Sequence, residues 1–164
     1  MPDTPDTTDR ADPAATDRAW LEAAIELSRQ CPPSTTAFSV GAIIVSAAGD
    51  VIATGYSREG DPHDHAEETA LAKAERDPRL ASSTIYSSLE PCSKRSSHPR
   101  TCTQLILAAR IPRVVFAWRE PSIFVDCEGA ELLRAAGCEV LEIPEVAPAV
   151  RAINAHLLQE PGAY

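Results

Sequence analysis

The sequence predicts an α/β fold, a three-layer α/β/α sandwich built on one five-stranded mixed sheet. Two observations carry this: an apolar hairpin in the first third of the chain, and a later alternation of helix-period segments with short β-branched runs. A hairpin supplies an antiparallel pair, whereas strands joined through helices pair in parallel, so the sheet is mixed and helices cover both faces. At 164 residues and with no internal repeat, the chain suits a single core.

Each element has its own signal. Residues 1–15 are rich in Pro, Asp, Thr and Ala and hold almost no large apolar side chain to offset the cost of ordering, so they are predicted to be a disordered tail, with 16–164 as one domain. Thr16 or Asp17 caps a first helix, along which Trp20, Leu21, Ala24, Ile25 and Leu27 recur at helical spacing until Pro32-Pro33 stops it. Residues 40–45 read as a buried strand, Ala48-Gly49-Asp50 as a turn and residues 51–55 as the antiparallel partner. Asp61-Pro62-His63-Asp64 starts a helix over 65–76 that Asp77-Pro78 ends.

The strand over 83–89 runs straight into Glu90-Pro91-Cys92. After a loop rich in Ser, Arg and Pro, Thr101 caps a helix over 102–110. A strand over 113–118, a helix over 128–136 ended by Gly137, a strand over 138–143 and a closing helix over 146–158 complete the pattern.

Composition narrows the function. A net charge of -9 repels a polyanion, which excludes extended nucleic-acid contact and favours a small-molecule substrate. No apolar run approaches the length of a bilayer crossing and no basic segment leads into an apolar one at the start, so no membrane partner is expected and the protein is read as cytoplasmic. Five cysteines in such a protein are better read as metal ligands or buried thiols than as a disulfide framework. Cys31, Cys127 and Cys138 have no metal-type spacing and are read as buried thiols.

His65-Ala66-Glu67, then Pro91-Cys92, then Cys102 form the pattern that carries chemistry. A catalytic zinc takes three protein ligands and keeps one position open; one imidazole and two thiolates meet that need. The metal brings the pKa of water toward neutrality. Glu67, two positions past His65 at a helix start, reaches that water as general base and acid rather than as a ligand. Cys92 at a strand end and Cys102 at a helix start meet exposed backbone N–H groups that stabilise thiolates. A non-catalytic zinc module binding a partner is the competing class. It requires a fourth ligand, for which His63, His98 and Cys127 are the candidates.

These residues resemble the cytidine and deoxycytidylate deaminase superfamily over roughly residues 40–140. Ser88-Leu89-Glu90-Pro91-Cys92-Ser93, the long interval between the cysteines, and the stretches 104–115 and 132–140 are most similar to the deaminase domain of riboflavin biosynthesis. The resemblance implies hydrolytic removal of an exocyclic amino group with release of ammonia, the substrate being a diaminopyrimidinone ribosylamine phosphate. A cytidine, deoxycytidylate or purine-base deaminase is the alternative, and a dimer or tetramer is implied as the working form. Ala37-Phe38 and Ser57 depart from the riboflavin pattern.

Substrate contacts divide by origin. Phe38 and Ser57 are candidates from the resemblance, Phe38 as the aromatic side chain packed beside the base. Lys94, Arg95, His98 and Arg100 form a basic stretch between two ligands, read either as phosphate recognition or as a solvated loop. His63, in the turn before the ligand helix, either touches substrate or is solvated.

Overall fold

The structure, a computed structural model, describes residues 12–95, 99–119, 121 and 127–158. Its sheet has five strands in the order β2-β1-β3-β4-β5: β1 (Gly41–Val45), β2 (Val51–Tyr56), β3 (Thr84–Leu89), β4 (Arg113–Trp118) and β5 (Glu139–Glu142). β1 is antiparallel to β2 and to β3, while β3, β4 and β5 run parallel, so the mixed sheet is the expected one. Five α-helices accompany it: α1 (Pro13–Leu27), α2 (Ala66–Lys73), α3 (Cys102–Ala108), α4 (Gly129–Ala135) and α5 (Ala147–Ile153).

Two cores lie on the two faces. On one, Leu21, Ala24 and Ile25 of α1 and Val150 of α5 pack on Ile43, Val45, Tyr86 and Val115. On the other, Ala66, Ala70 and Leu71 of α2, Ile106 of α3 and Leu133 of α4 pack on Ala42, Ile44, Ile85 and Val114. The period-2 alternation of strand side chains divides β1, β3 and β4 between the two cores, giving the three layers. Gly55 is required at one contact: a Cβ there would stand 2.3 Å from Ala66 O, so α2 could not lie so close to β2. Among the described residues no helix is long and apolar enough to cross a membrane.

Element ends differ from expectation where side chains cap differently. α1 begins at Pro13, not at Thr16, because the Asp12 carboxylate accepts from the Ala14 N–H at 3.1 Å and Pro13 suits the first helical turn. Asp17, expected as a cap, is instead buried inside α1, its carboxylate held by Arg113. Residues 1–11 of the expected tail lie outside the described residues. α2 stops at Lys73, short of Arg76, and Asp77-Pro78 begins a 3-10 segment, Pro78–Ser82, that the sequence reading missed. The closing helix is likewise split, α5 lying between 3-10 turns at Pro144–Val146 and Ala155–Leu157.

Candidate metal centre and catalytic cleft

β3 delivers the chain to the centre. Beyond Leu89, the Glu90 N–H donates to Trp118 O at 2.8 Å, which carries the pairing with β4 one step further before Pro91-Cys92 turns across the sheet end. Thr101 caps α3 as expected, its hydroxyl accepting from the Gln104 N–H and its own N–H donating back to Gln104 Oε1. Cys102 is therefore the first residue of α3, and its N–H donates to Cys92 Sγ at 3.2 Å. His65 caps α2 with extended backbone, while Glu68 Oε1 accepts its N–H at 3.2 Å.

The two helix starts thus face each other. The ligand atoms of His65, Cys92 and Cys102 all lie within 4.8 Å of one another, and His65 Nδ1 is 3.3 Å from Cys102 Sγ. A tetrahedral zinc with ordinary bond lengths sets an N to S edge of about 3.6 Å, so this donor set fits the ion. The hydrogen bond from Cys102 outweighs burial and, with His65 alongside, holds the Cys92 thiol well below its ordinary range. Cys102, as the donor in that bond and fully buried, is pushed up. Burial pulls the His65 imidazole down, but the bond to Cys92 and the nearby charges of Cys92 and Glu67 raise it on balance.

Glu67, in the first turn of α2, is 4 % exposed. Ser87 Oγ donates to its Oε1 at 2.6 Å and lies 2.7 Å from Leu89 O. Burial raises the Glu67 pKa more than the Ser87 bond and the His65 charge lower it. Ser87 was not among the sequence candidates; its only signal was a polar residue on the inward face of a strand otherwise apolar there.

A cleft of about 580 Å³ opens over this centre, with His65, Glu67 and Cys92 in its floor. Phe38, Ser57, His63, Lys94 and Arg95 of the sequence candidates line it. Phe38 is buried and packs edge-on to Trp118, the ring centroids 5.6 Å apart. Ser57 Oγ accepts from the Val40 N–H at 2.9 Å, which ties the end of β2 to the start of β1. Arg95 is largely spent on structure: its side chain is 3 % exposed, and Nη2 bonds His63 O at 2.9 Å and Glu68 Oε1 at 3.3 Å. Lys94 is exposed. Arg100 is exposed and is not among the residues of the cleft, and His98 lies outside the described residues.

Other groups of the cleft and its walls escaped the sequence reading. Arg58, with φ of 62°, fixes the wall: Nε and Nη2 donate to Pro32 O, Nη1 to Phe38 O and Nη2 to Ser39 Oγ. Asn154, after α5, holds the same wall by accepting from the Ser39 N–H and donating to Ser39 O. Glu90 is buried with Oε2 accepting from the Ala130 N–H in α4. That helix approaches closely because residue 129 is Gly; a Cβ there would stand 1.9 Å from Pro91 O.

A mixed sheet with one imidazole and one thiol at facing helix starts and a second thiol past a strand end, with a buried carboxylate beside them, defines a zinc-binding α/β/α domain. The chain belongs to the cytidine and deoxycytidylate deaminase family, whose zinc-binding region matches residues 14–118. It is 44% identical over 126 residues to the diaminohydroxyphosphoribosylamino-pyrimidine deaminase of Schizosaccharomyces pombe, which covers 75% of this chain and 31% of the relative. It is 34% identical over 129 residues to the riboflavin biosynthesis protein RibD of Aquifex aeolicus, covering 76% of this chain and 34% of the relative. The chain thus spans about a third of the length of these curated relatives. Among solved structures, the Aspergillus oryzae Rib2 deaminase in complex with DARIPP matches with a TM-score of 0.68 and 28% identity, over 76% of this chain and 82% of that one. The RibD of Acinetobacter baumannii matches with a TM-score of 0.72 and 27% identity, over 88% and 39%. The sequence-stated resemblance and fold are therefore both met, and zinc is the metal of the family.

Proposed function

We propose that this chain is the hydrolytic deaminase that converts a diaminopyrimidinone ribosylamine phosphate to the corresponding oxo compound and ammonia. The observation that carries the reading is the convergence of His65, Cys92 and Cys102, their ligand atoms within 4.8 Å, beside a buried Glu67 in one cleft. The named relatives support the substrate: a diaminohydroxyphosphoribosylamino-pyrimidine deaminase by sequence, and a Rib2 deaminase in complex with DARIPP by structure.

His65, Cys92 and Cys102 hold the metal. Zinc bound there supplies water of lowered pKa, ready to attack near neutral pH. Glu67 moves the protons. Its Oε1 is committed to Ser87, so Oε2 takes a proton from water, passes it to the ring nitrogen and later protonates the departing amine. A C–O bond forms, the exocyclic C–N bond breaks, and one water becomes the oxo group while the amino group leaves as ammonia. Phe38 lies along the ring site, and His63 and Lys94 line the approach to it.

The non-catalytic module needs a fourth ligand. Among the described residues the cluster has three members, and Cys127 turns its thiol to Pro91 O at 3.2 Å. Cytoplasmic location accords with five cysteines that form no disulfide, and a dimer or tetramer is part of the same proposal, read by light scattering. The zinc-loaded chain is expected to release ammonia from the ribosylamine phosphate. Release from cytidine or deoxycytidylate instead would move the assignment to those substrates, and bound zinc with no turnover of any of them would favour the interaction module.

A further inference from the structure

Two arginines line the cleft, and they are held differently. Arg95 is paired with Glu68, so its charge is met within the protein. Arg58 has four hydrogen bonds, all to neutral oxygens: two to Pro32 O at 3.0 and 2.7 Å, one to Phe38 O at 3.1 Å and one to Ser39 Oγ at 2.9 Å. Neutral acceptors fix a guanidinium in space without cancelling its charge. A guanidinium has five N–H donors, so these bonds leave one, on Nη1.

This arrangement runs against the composition. The chain holds 24 Asp and Glu residues, yet none of the described ones forms an ion pair with Arg58. Asp64 is close enough for its carbonyl to accept the Arg58 backbone N–H at 2.9 Å, but its carboxylate is not bonded to the guanidinium. A partly buried cation without a counter-charge is unfavourable, and burial accordingly lowers the Arg58 pKa. The backbone of Arg58 is also in the left-handed region, which is uncommon for a residue with a long side chain. Lys94 lines the same cleft, also without a carboxylate partner among the described residues.

We propose that Arg58 is a specificity-determining residue of this cleft, reading an anionic group of the substrate with its remaining N–H and its uncancelled charge. It rests on the deaminase reading above, where that group is the phosphate ester, and the exposed Lys94 adds a second charge. The assignment differs from the one the sequence suggested, because Arg95 is already matched by Glu68 and Arg100 stands outside the cleft. The bonds to Pro32, Phe38 and Ser39 hold the guanidinium in place before substrate arrives, so little ordering is lost on binding.

The test is a ratio. For the zinc-loaded full chain, kcat/KM is measured on the ribosylamine substrate with and without its phosphate, in the unaltered protein and in Arg58→Gln and Arg58→Lys. The preference for the phosphorylated compound should fall about tenfold or more in R58Q, as loss of a charge-assisted contact implies, and should be largely kept in R58K. Equal losses on both compounds, leaving the ratio unchanged, mean that Arg58 only braces the wall, and overturn the proposal.

A second measurement needs no substitution at Arg58. Inorganic phosphate should compete with the unphosphorylated compound in the unaltered protein, and Lys94→Gln should weaken that competition; absence of competition also overturns the proposal. Ammonia release by the unaltered protein from neither compound removes the deaminase reading itself. Release with an unchanged ratio removes only the role of Arg58.

Discussion

Tyr86 and Ser87 are neighbours on β3, point to opposite faces of the sheet, and each donates its hydroxyl to a buried acid. Tyr86 OH reaches Asp17 Oδ1 at 2.7 Å under α1, and Ser87 Oγ reaches Glu67 Oε1 at 2.6 Å under α2. The acids are then completed in opposite ways. Asp17 also receives both terminal nitrogens of Arg113 at 2.7 Å, and these bonds lower its pKa against the cost of burial. Glu67 has no guanidinium partner among the described residues, and burial raises it more than the Ser87 bond and the His65 charge lower it. A carboxylate clamped by a guanidinium stays ionised and holds helix to sheet; one held by a hydroxyl can carry a proton and give it up. The two faces of one strand thus separate scaffold from chemistry.

The largest effect expected is on the Glu67 face. Glu67→Gln keeps the size and the contact to Ser87 but removes the carboxylate proposed to accept and return protons. Turnover should fall about a thousandfold or more, within the range lost with a general acid–base, while bound zinc measured by metal analysis stays near one per chain. Retained turnover would place proton transfer on another group and erase the contrast between the two acids.

Next comes the opposite face. Among the described residues, Asp17→Asn leaves Arg113 with only Glu139 as a charged partner, at 3.2 Å and more exposed. A loss of about 2 to 3 kcal/mol in unfolding free energy is expected, less than for a fully buried pair because Arg113 is 25% exposed. Urea denaturation reads it. The sign with pH follows from the lowered pKa of Asp17: its contribution is present above the unfolded-state value of about 3.9 and disappears as pH falls through the folded value. The unaltered protein should therefore lose stability in that acid window, and D17N should show a shallower slope there.

Legibility in the sequence followed the same division. His65, Cys92 and Cys102 could be read because zinc accepts few residue types, and Glu67 because it stands two positions past His65; helix-start and strand-end signals put all four at element boundaries. The strands could be read because both faces of the sheet are covered by helices, which makes their apolar runs continuous. Side chains that act across the fold could not be read. Asp17 has the composition of a helix cap, and only the position of Arg113 on β4 shows that it is an anchor. Arg95 looked like a free cation until α2 set Glu68 beside it. Arg58 gave no signal at all, since its acceptors are backbone oxygens of the 32–39 segment, and any residue type offers those.

The two hydroxyls give the finest version of the comparison. Ser87→Ala removes the only side-chain hydrogen bond to Glu67 among the described residues and leaves its Oε1 free to rotate. About a tenfold fall in kcat with little change in KM is expected, since positioning of the acid is lost while the cleft walls are untouched. Tyr86→Phe should do less. Asp17 keeps both Arg113 bonds, so about 1 kcal/mol of stability is lost, measurable by urea denaturation, and kcat is unaffected because neither Tyr86 nor Asp17 lines the cleft. If Y86F lowered kcat as much as S87A, the hydroxyls would act through the strand rather than through their separate acids, and the division of labour across β3 would not stand.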